Sequence, residues 1–172
     1  EERGISGRGG TADVMKMYAE EWDQTIAVKQ PQLEGTLSTE VAEKFVSEAK
    51  TWEKLDNHDG IVGVVDWGKK PVPWIALEYM NGGSLTSRLG EISTEEGLWI
   101  GTQVSDAVWG AHRRGVAHLD LKPDNILFRA TDADLWDVPK VSDWGLAKML
   151  LYHSQSVDGL SPHYSAPEQF DS

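Results

Sequence analysis

Two charged residues in the first third of the chain are awkward apart and reasonable together. Lys29 lies mid-strand in Ile26-Ala27-Val28-Lys29, where the period of two puts it on the face of Ala27. Alone it reads as an edge-strand ammonium facing water. Glu48 falls on the apolar stripe of a helix, among Val41, Phe45, Trp52 and Leu55. A carboxylate aimed at a core is costly unless a cation or hydrogen-bond donors meet it. An ion pair between Lys29 and Glu48 resolves both problems. Ahead of them lies Gly7-Arg8-Gly9-Gly10. Glycines let successive backbone amides cradle an anion such as phosphate, although a hairpin turn is the commoner reason for such a run standing alone.

The elements needed to place these groups are legible. Val14 to Tyr18 alternates as a strand, Glu20 to Gln24 turns, and Thr25 to Lys29 is a second strand. Helical periodicity, about 100° per residue, runs from Val41 to Leu55 and turns Glu43 and Glu53 to solvent. Ile61 to Asp66 and Trp74 to Tyr79 read as short strands, and Asn81-Gly82-Gly83-Ser84 as a connection between two lobes. Ser93 and Glu96 have capping-box spacing for a helix reaching about Arg114, with Ile100, Val104, Ala107, Val108 and Ala111 inward and Gly115 as its stop.

Composition narrows the functional classes. The 172 residues carry a net charge of −12, with 28 Asp and Glu against 16 Lys and Arg. No basic cluster larger than Arg113-Arg114 or Lys69-Lys70 appears, which argues against nucleic acid as a partner. The acidity reads as solubility first and as a salt-adapted host second. Cysteine is absent, so neither disulfides nor thiolate metal sites arise, as fits a cytoplasmic protein. No apolar run approaches the roughly 20 residues of a membrane span.

From His118 onward polar residues crowd together: His118-Leu119-Asp120-Leu121-Lys122-Pro123-Asp124-Asn125-Ile126-Leu127. This segment resembles the catalytic loop of eukaryotic-type serine/threonine protein kinases, H-R-D-L-K-P-x-N, with one substitution. Asp143-Trp144-Gly145 stands for D-F-G, Ala166-Pro167-Glu168 matches A-P-E, and Ile26 to Lys29 is close to V-A-I-K. With the glycine run and Glu48, six elements keep the family's order across residues 4 to 170.

The resemblance implies an α+β, two-lobed fold. Residues 1–80 would form the sheet lobe and 81–172 the lobe with hinge exit, catalytic loop and activation segment. A further helical subdomain would follow Ser172, leaving the second lobe truncated here. The implied activity is transfer of a phosphoryl group from ATP, with Mg2+, to Ser or Thr hydroxyls of proteins. Lys29, oriented by Glu48, would hold the α- and β-phosphates beneath a loop with Gly7, Gly9 and Gly10. Asp143 and Asn125 would bind magnesium. Asp120 would accept or orient the hydroxyl proton, and Lys122 would neutralise the transferring group. Val14, Ala27 and Leu127 would enclose adenine, Glu78 and Met80 would bond its edge through their backbone, and Leu77 would be the gatekeeper. Lys122-Pro123 resembles the serine/threonine branch rather than tyrosine kinases or small-molecule kinases of related fold. A pseudokinase scaffold is the other alternative, and the intact Lys29, Glu48, Asp120, Asn125 and Asp143 speak against it.

Four departures from the family pattern stand out. Ala12 replaces the third loop glycine. Trp144 replaces Phe and would stack with Trp52 and His118. Ala130 to Val138 reads as an exposed insertion. Leu119 replaces an arginine that grips an activation-segment phosphate in many kinases. Gly145 to Ala166 offers Ser154, Ser156 and Ser161 but only Lys148 as a cation, so a phosphate there would lack charge partners. The expectation is that ordering does not use one, leaving control to homodimerisation, to other regions, or to none. Ser161 stands where the family has the Ser or Thr that shapes the peptide-binding loop.

Overall fold

A computed structural model describes residues 2–8, 12–32, 39–55, 58–132, 135–144, 148–149 and 161–169. The chain divides into two compact units, Glu1–Asp56 with Gly63–Tyr79, and Asn57–Val62 with Met80–Ser172.

The first unit is a five-stranded sheet and one helix. Strands β1 (Glu2–Arg8), β2 (Ala12–Ala19), β3 (Gln24–Pro31), β4 (Val64–Gly68) and β5 (Trp74–Glu78) order as β1-β2-β3-β5-β4, and every neighbouring pair is antiparallel. Strand β1 was not foreseen, because Gly4, Ser6 and Gly7 break any alternation in Glu2–Arg8. A single 3-10 turn at Glu20–Trp22 and a left-handed Asp23 (φ 49°) join β2 to β3. Helix α1 spans Thr39–Glu53.

Register fixes what each face carries. Val14 lies opposite Lys29, Lys16 opposite Ala27, Ala27 opposite Leu77 and Lys29 opposite Ile75. Directly opposed residues share a face, so Val14, Ala27, Lys29 and Leu77 lie on one side. On the other, Ile26, Val28 and Ala76 form a small core with Met15, Met17 and Trp74 packed against it. Phe45, Ala49 and Trp52 of α1 and Leu55 just after it are buried, while Glu43 and Glu53 are exposed as their helical phase requires.

Ile61 and Val62 were expected at the start of β4, but belong to the second unit. Val62 N donates to Val141 O (3.0 Å) and Val141 N to Gly60 O (2.8 Å). Both side chains are buried by that pairing, so their apolar signal marks a core contact rather than a fourth strand. Helix α2 (Thr94–Arg113) starts at Ser93, whose Oγ accepts from Glu96 N (3.1 Å), and Gly115 follows it at φ 72°. Ile100 of α2 packs with Ile126 and Phe128. Strands β6 (Val116–Ala117) and β9 (Lys148–Met149) pair, as do β7 (Ile126–Arg129) and β8 (Val138–Val141).

The connection after Met80 is bonded to β7. Gly82 N donates to Phe128 O (2.8 Å) and Phe128 N to Gly83 O (2.9 Å). A Cβ at Gly82 would sit 2.8 Å from Phe128 Cβ and 2.9 Å from its carbonyl oxygen, so only glycine permits this approach. The 130–138 insertion is less free than expected. Arg88 Nη2 bonds both Gly82 O (2.7 Å) and Asp137 Oδ2 (2.6 Å), its guanidinium lies over the Phe128 ring, and Ala130 N donates to Asn81 Oδ1 (2.8 Å). The Arg88 contact holds the Asp137 carboxyl below the usual carboxylate range. Leu135 alone of its large apolar residues stands mostly in solvent. Among the described residues no helix is long and apolar enough to cross a membrane.

Candidate active site

In the first unit the anticipated ion pair is formed. Lys29 Nζ lies 2.6 Å from Glu48 Oε1, with only 11% and 10% of the two side chains accessible. The ammonium also sits 5.8 Å from the Trp52 ring centroid. The strand period aims Lys29 off the Val14–Ala27–Leu77 face, and the phase of α1 brings Glu48 to it. Breaking one side of so buried a pair leaves the other charge stranded. In a double-mutant cycle, Glu48→Gln and Lys29→Met should couple by about 1–3 kcal/mol in turnover. Additive losses would refute the functional pairing.

Gly7 pairs with Val14 across the β1–β2 hairpin; Gly9 and Gly10 lie outside the described residues. Glu78 ends β5, its N–H donating to Gly63 O (3.0 Å) and its Oε1 accepting from Gly63 N (3.2 Å). Met80 is buried at the start of the second unit. Leu127 is half-buried in β7 and bridges Ser84.

The second unit gathers Asp120, Lys122 and Asn125 around one carboxylate. Asp120 is 8% accessible. Its Oδ2 accepts from Lys122 Nζ (2.7 Å) and from Asn125 Nδ2 (3.3 Å), and the same Nδ2 donates to the Asp120 main-chain oxygen (2.8 Å). Among the described residues, Asp120 Oδ1 is buried with no hydrogen-bond partner. A buried carboxylate oxygen without a partner is costly in a resting fold. Lys122 Nζ also donates to Ser161 Oγ (2.8 Å), so the two oxygens share one ammonium.

His118 sets this loop against the next. Its Nε2 lies 2.9 Å from Ser142 O, and a carbonyl can only accept, so Nε2 carries the proton. Nδ1 then accepts from Asp120 N (3.2 Å). The ring tilts against Trp144 at 4.6 Å between centroids, half of the stack expected for Trp144. Ser142 N in turn donates to Asn125 O (2.8 Å), bringing Asp143 next to the strand that follows Asn125. Leu119 (φ 66°) and Asp143 (φ 60°) both adopt the left-handed region. That costs roughly 1–3 kcal/mol each and marks a functional arrangement held by its surroundings.

Burial, above all, lowers the His118 pKa from its ordinary value, against a smaller raising effect of the Ser142 bond. The neutral ring is therefore favoured by folding. Its contribution is complete above the unfolded pKa of about 6.5. It is lost as pH falls from there toward the depressed folded value, because the unfolded chain takes up the proton first. In magnesium-free buffer, His118→Gln should lose less stability than wild type between about pH 7.5 and 5.5. Equal slopes in urea titrations would show that His118 is not the group responsible.

The donors present suit magnesium. Asp143 offers a carboxylate, and Asn125 has its amide nitrogen committed to Asp120, which leaves its Oδ1 as the hard acceptor. Mg2+ takes one or two such oxygens and completes its octahedron with water and phosphate. Among the described residues no group of three or more His, Asp or Glu could hold a metal ion.

Gln169 was missed by sequence reasoning. Its amide bonds both Leu119 O and Ala166 N, and nothing in the local pattern signals a side chain reaching fifty residues back.

A family model described as the protein kinase domain matches residues 1–172. The chain is 33% identical over 95% of its length to a serine/threonine-protein kinase of Myxococcus xanthus. It is 32% identical over 96% to the serine/threonine-protein kinase PrkC of Bacillus subtilis. It is 31% identical over 94% to the serine/threonine-protein kinase PknA of Mycobacterium tuberculosis. It spans 24%, 26% and 39% of those three proteins' lengths respectively. The motif order, the Lys29–Glu48 pair, the Asp120–Lys122–Asn125 cluster and a match over its whole length make this chain a member of the protein kinase domain family.

Proposed function

We propose that the protein transfers the γ-phosphoryl group of ATP to Ser or Thr hydroxyls of protein substrates, with magnesium. The observation that carries this reading is Asp120. One carboxylate oxygen is clasped by Lys122 and Asn125, and the other is buried and unpartnered. A hydroxyl entering beside Oδ1 is oriented by it and gives up its proton to it as the oxygen attacks. Lys122, held between Asp120 and Ser161, offsets negative charge on the group in transfer. Lys29 has its own charge steadied by Glu48 and binds the α- and β-phosphates from its strand. Val14, Ala27 and Leu127 offer apolar surface to adenine, and the backbone at Glu78 and Met80 its edge contacts, with Leu77 behind them as gatekeeper. Asp143 and Asn125 would hold Mg2+, which would supply positive charge against the phosphates.

Phosphoryl transfer asks for alignment and charge neutralisation rather than covalent help. Those are the services these residues can give. The relatives' names favour Ser and Thr as acceptors, and Lys122-Pro123 agrees with that branch. The test is label transfer from γ-labelled ATP to a protein substrate, with magnesium and with chelator. Transfer that ignores magnesium, or none at all, would defeat the reading.

A further inference from the structure

The segment Ser161–Gln169 is fastened to the loop around Asp120 at two points, and one of them is wholly neutral. At its start, Ser161 Oγ shares the Lys122 ammonium with Asp120. At its end, Gln169 Nε2 donates to Leu119 O (2.9 Å) while Gln169 Oε1 accepts from Ala166 N (2.9 Å). Between these points the segment is bonded to itself, with Tyr164 N and Ser165 N donating to Ser161 O and Gln169 N to Ala166 O. Its internal shape is thus set locally, and the Gln169 amide sets where that shape sits.

The carbonyl that Gln169 grips belongs to Leu119, one of two left-handed non-glycine residues among those described in this unit and the neighbour of Asp120. A γ-branched residue keeps that backbone only where its surroundings insist. Leu119 brings no charge of its own to the loop, so whatever ties segment to loop through this residue must use its backbone. We propose that Gln169 is a positioning residue. It latches the 161–169 segment, along which an acceptor peptide must run to bring its hydroxyl to Asp120, onto the Leu119 carbonyl without need of a phosphate. This rests on the reading of Asp120 given above.

Gln169→Glu is nearly isosteric and keeps an acceptor for Ala166 N, but it sets a carboxylate oxygen against the Leu119 carbonyl. In the protein at its full natural length, kcat/KM for a Ser peptide should fall about tenfold, the worth of one hydrogen bond with an oxygen left unmet. KM for MgATP should stay within about twofold and the melting temperature should be unchanged, a split that general destabilisation would not produce. Phosphatase treatment of the wild type should leave peptide kcat/KM where it was. Amide exchange over 161–169 reads the latch without turnover, and protection should drop in Gln169→Glu. Wild-type peptide kcat/KM with unchanged protection overturns the latch, as do equal losses toward peptide and nucleotide, or a phosphatase-sensitive peptide KM. Lost protection in a protein whose wild type transfers no phosphate would keep the latch and sink the phosphotransfer reading.

Discussion

Asp120→Asn should lower turnover by about 10²–10⁴-fold and leave MgATP affinity nearly intact. The size of the loss follows from what the substitution does and does not change. Asparagine fills the same 8% accessible site and still accepts from Lys122 through its oxygen. It cannot take a proton, and whichever way its amide turns, one position around the former carboxylate becomes a donor. If that donor replaces Oδ1, it points at the incoming hydroxyl; if it replaces Oδ2, it meets the Lys122 ammonium and the Asn125 amide. Nucleotide contacts assigned to Lys29, Val14 and Ala27 lie in the other unit and are untouched. A variant with wild-type turnover would remove Asp120 from the chemistry. One that lost nucleotide affinity in step with turnover would show that Asp120 acts in binding.

Removing the Asp143 carboxylate should abolish magnesium-dependent transfer altogether. Asp143 is the only carboxylate in the proposed donor pair, and the Asn125 oxygen alone is a weak ligand for a reluctantly dehydrated cation. Asp143→Ala also places a Cβ residue without a local polar group at φ 60°, which by itself disturbs the backbone. Asp143→Asn is the cleaner variant, because asparagine tolerates the left-handed region and keeps the shape. Both should lack transfer, and Asp143→Asn should melt near the wild-type temperature. Full activity of Asp143→Asn would move the metal to other ligands.

How much of this could be read in the chain depends on where each signal lives. Lys29 and Glu48 were legible because each breaks the apolar pattern of its own element, and the geometry repays both at 2.6 Å. The Asp120 loop was legible as a motif, since its residue types are dictated by charge and donor chemistry. The fit of its parts was not. The His118 bridge ends on a backbone oxygen of Ser142, which any residue there would supply. Gln169 likewise reaches a backbone oxygen, so sequence marks neither partner. Arg88 carries no signal in its local sequence, yet its contacts to Gly82, Asp137 and Phe128 tie the 130–138 insertion to the chain after Met80. In the sheet, β2 and β3 announced themselves by the period of two, and β5 as a short apolar run bounded by Pro and Gly. Strand β1 did not, its glycines and bulged register hiding the period, and Ile61 and Val62 carried a strand-like signal into a different unit. Ser154 and Ser156, the acceptors weighed for regulation, lie outside the described residues.

The most direct measurement is the identity of the residue that receives the label. The protein is incubated with γ-labelled ATP, magnesium and a mixed protein substrate, and the labelled substrate is hydrolysed to its phosphoamino acids. The account predicts phosphoserine and phosphothreonine, present with wild type and absent with Asp143→Asn. Label confined to phosphotyrosine, to a small molecule or to free phosphate, or label undiminished by Asp143→Asn, would contradict it.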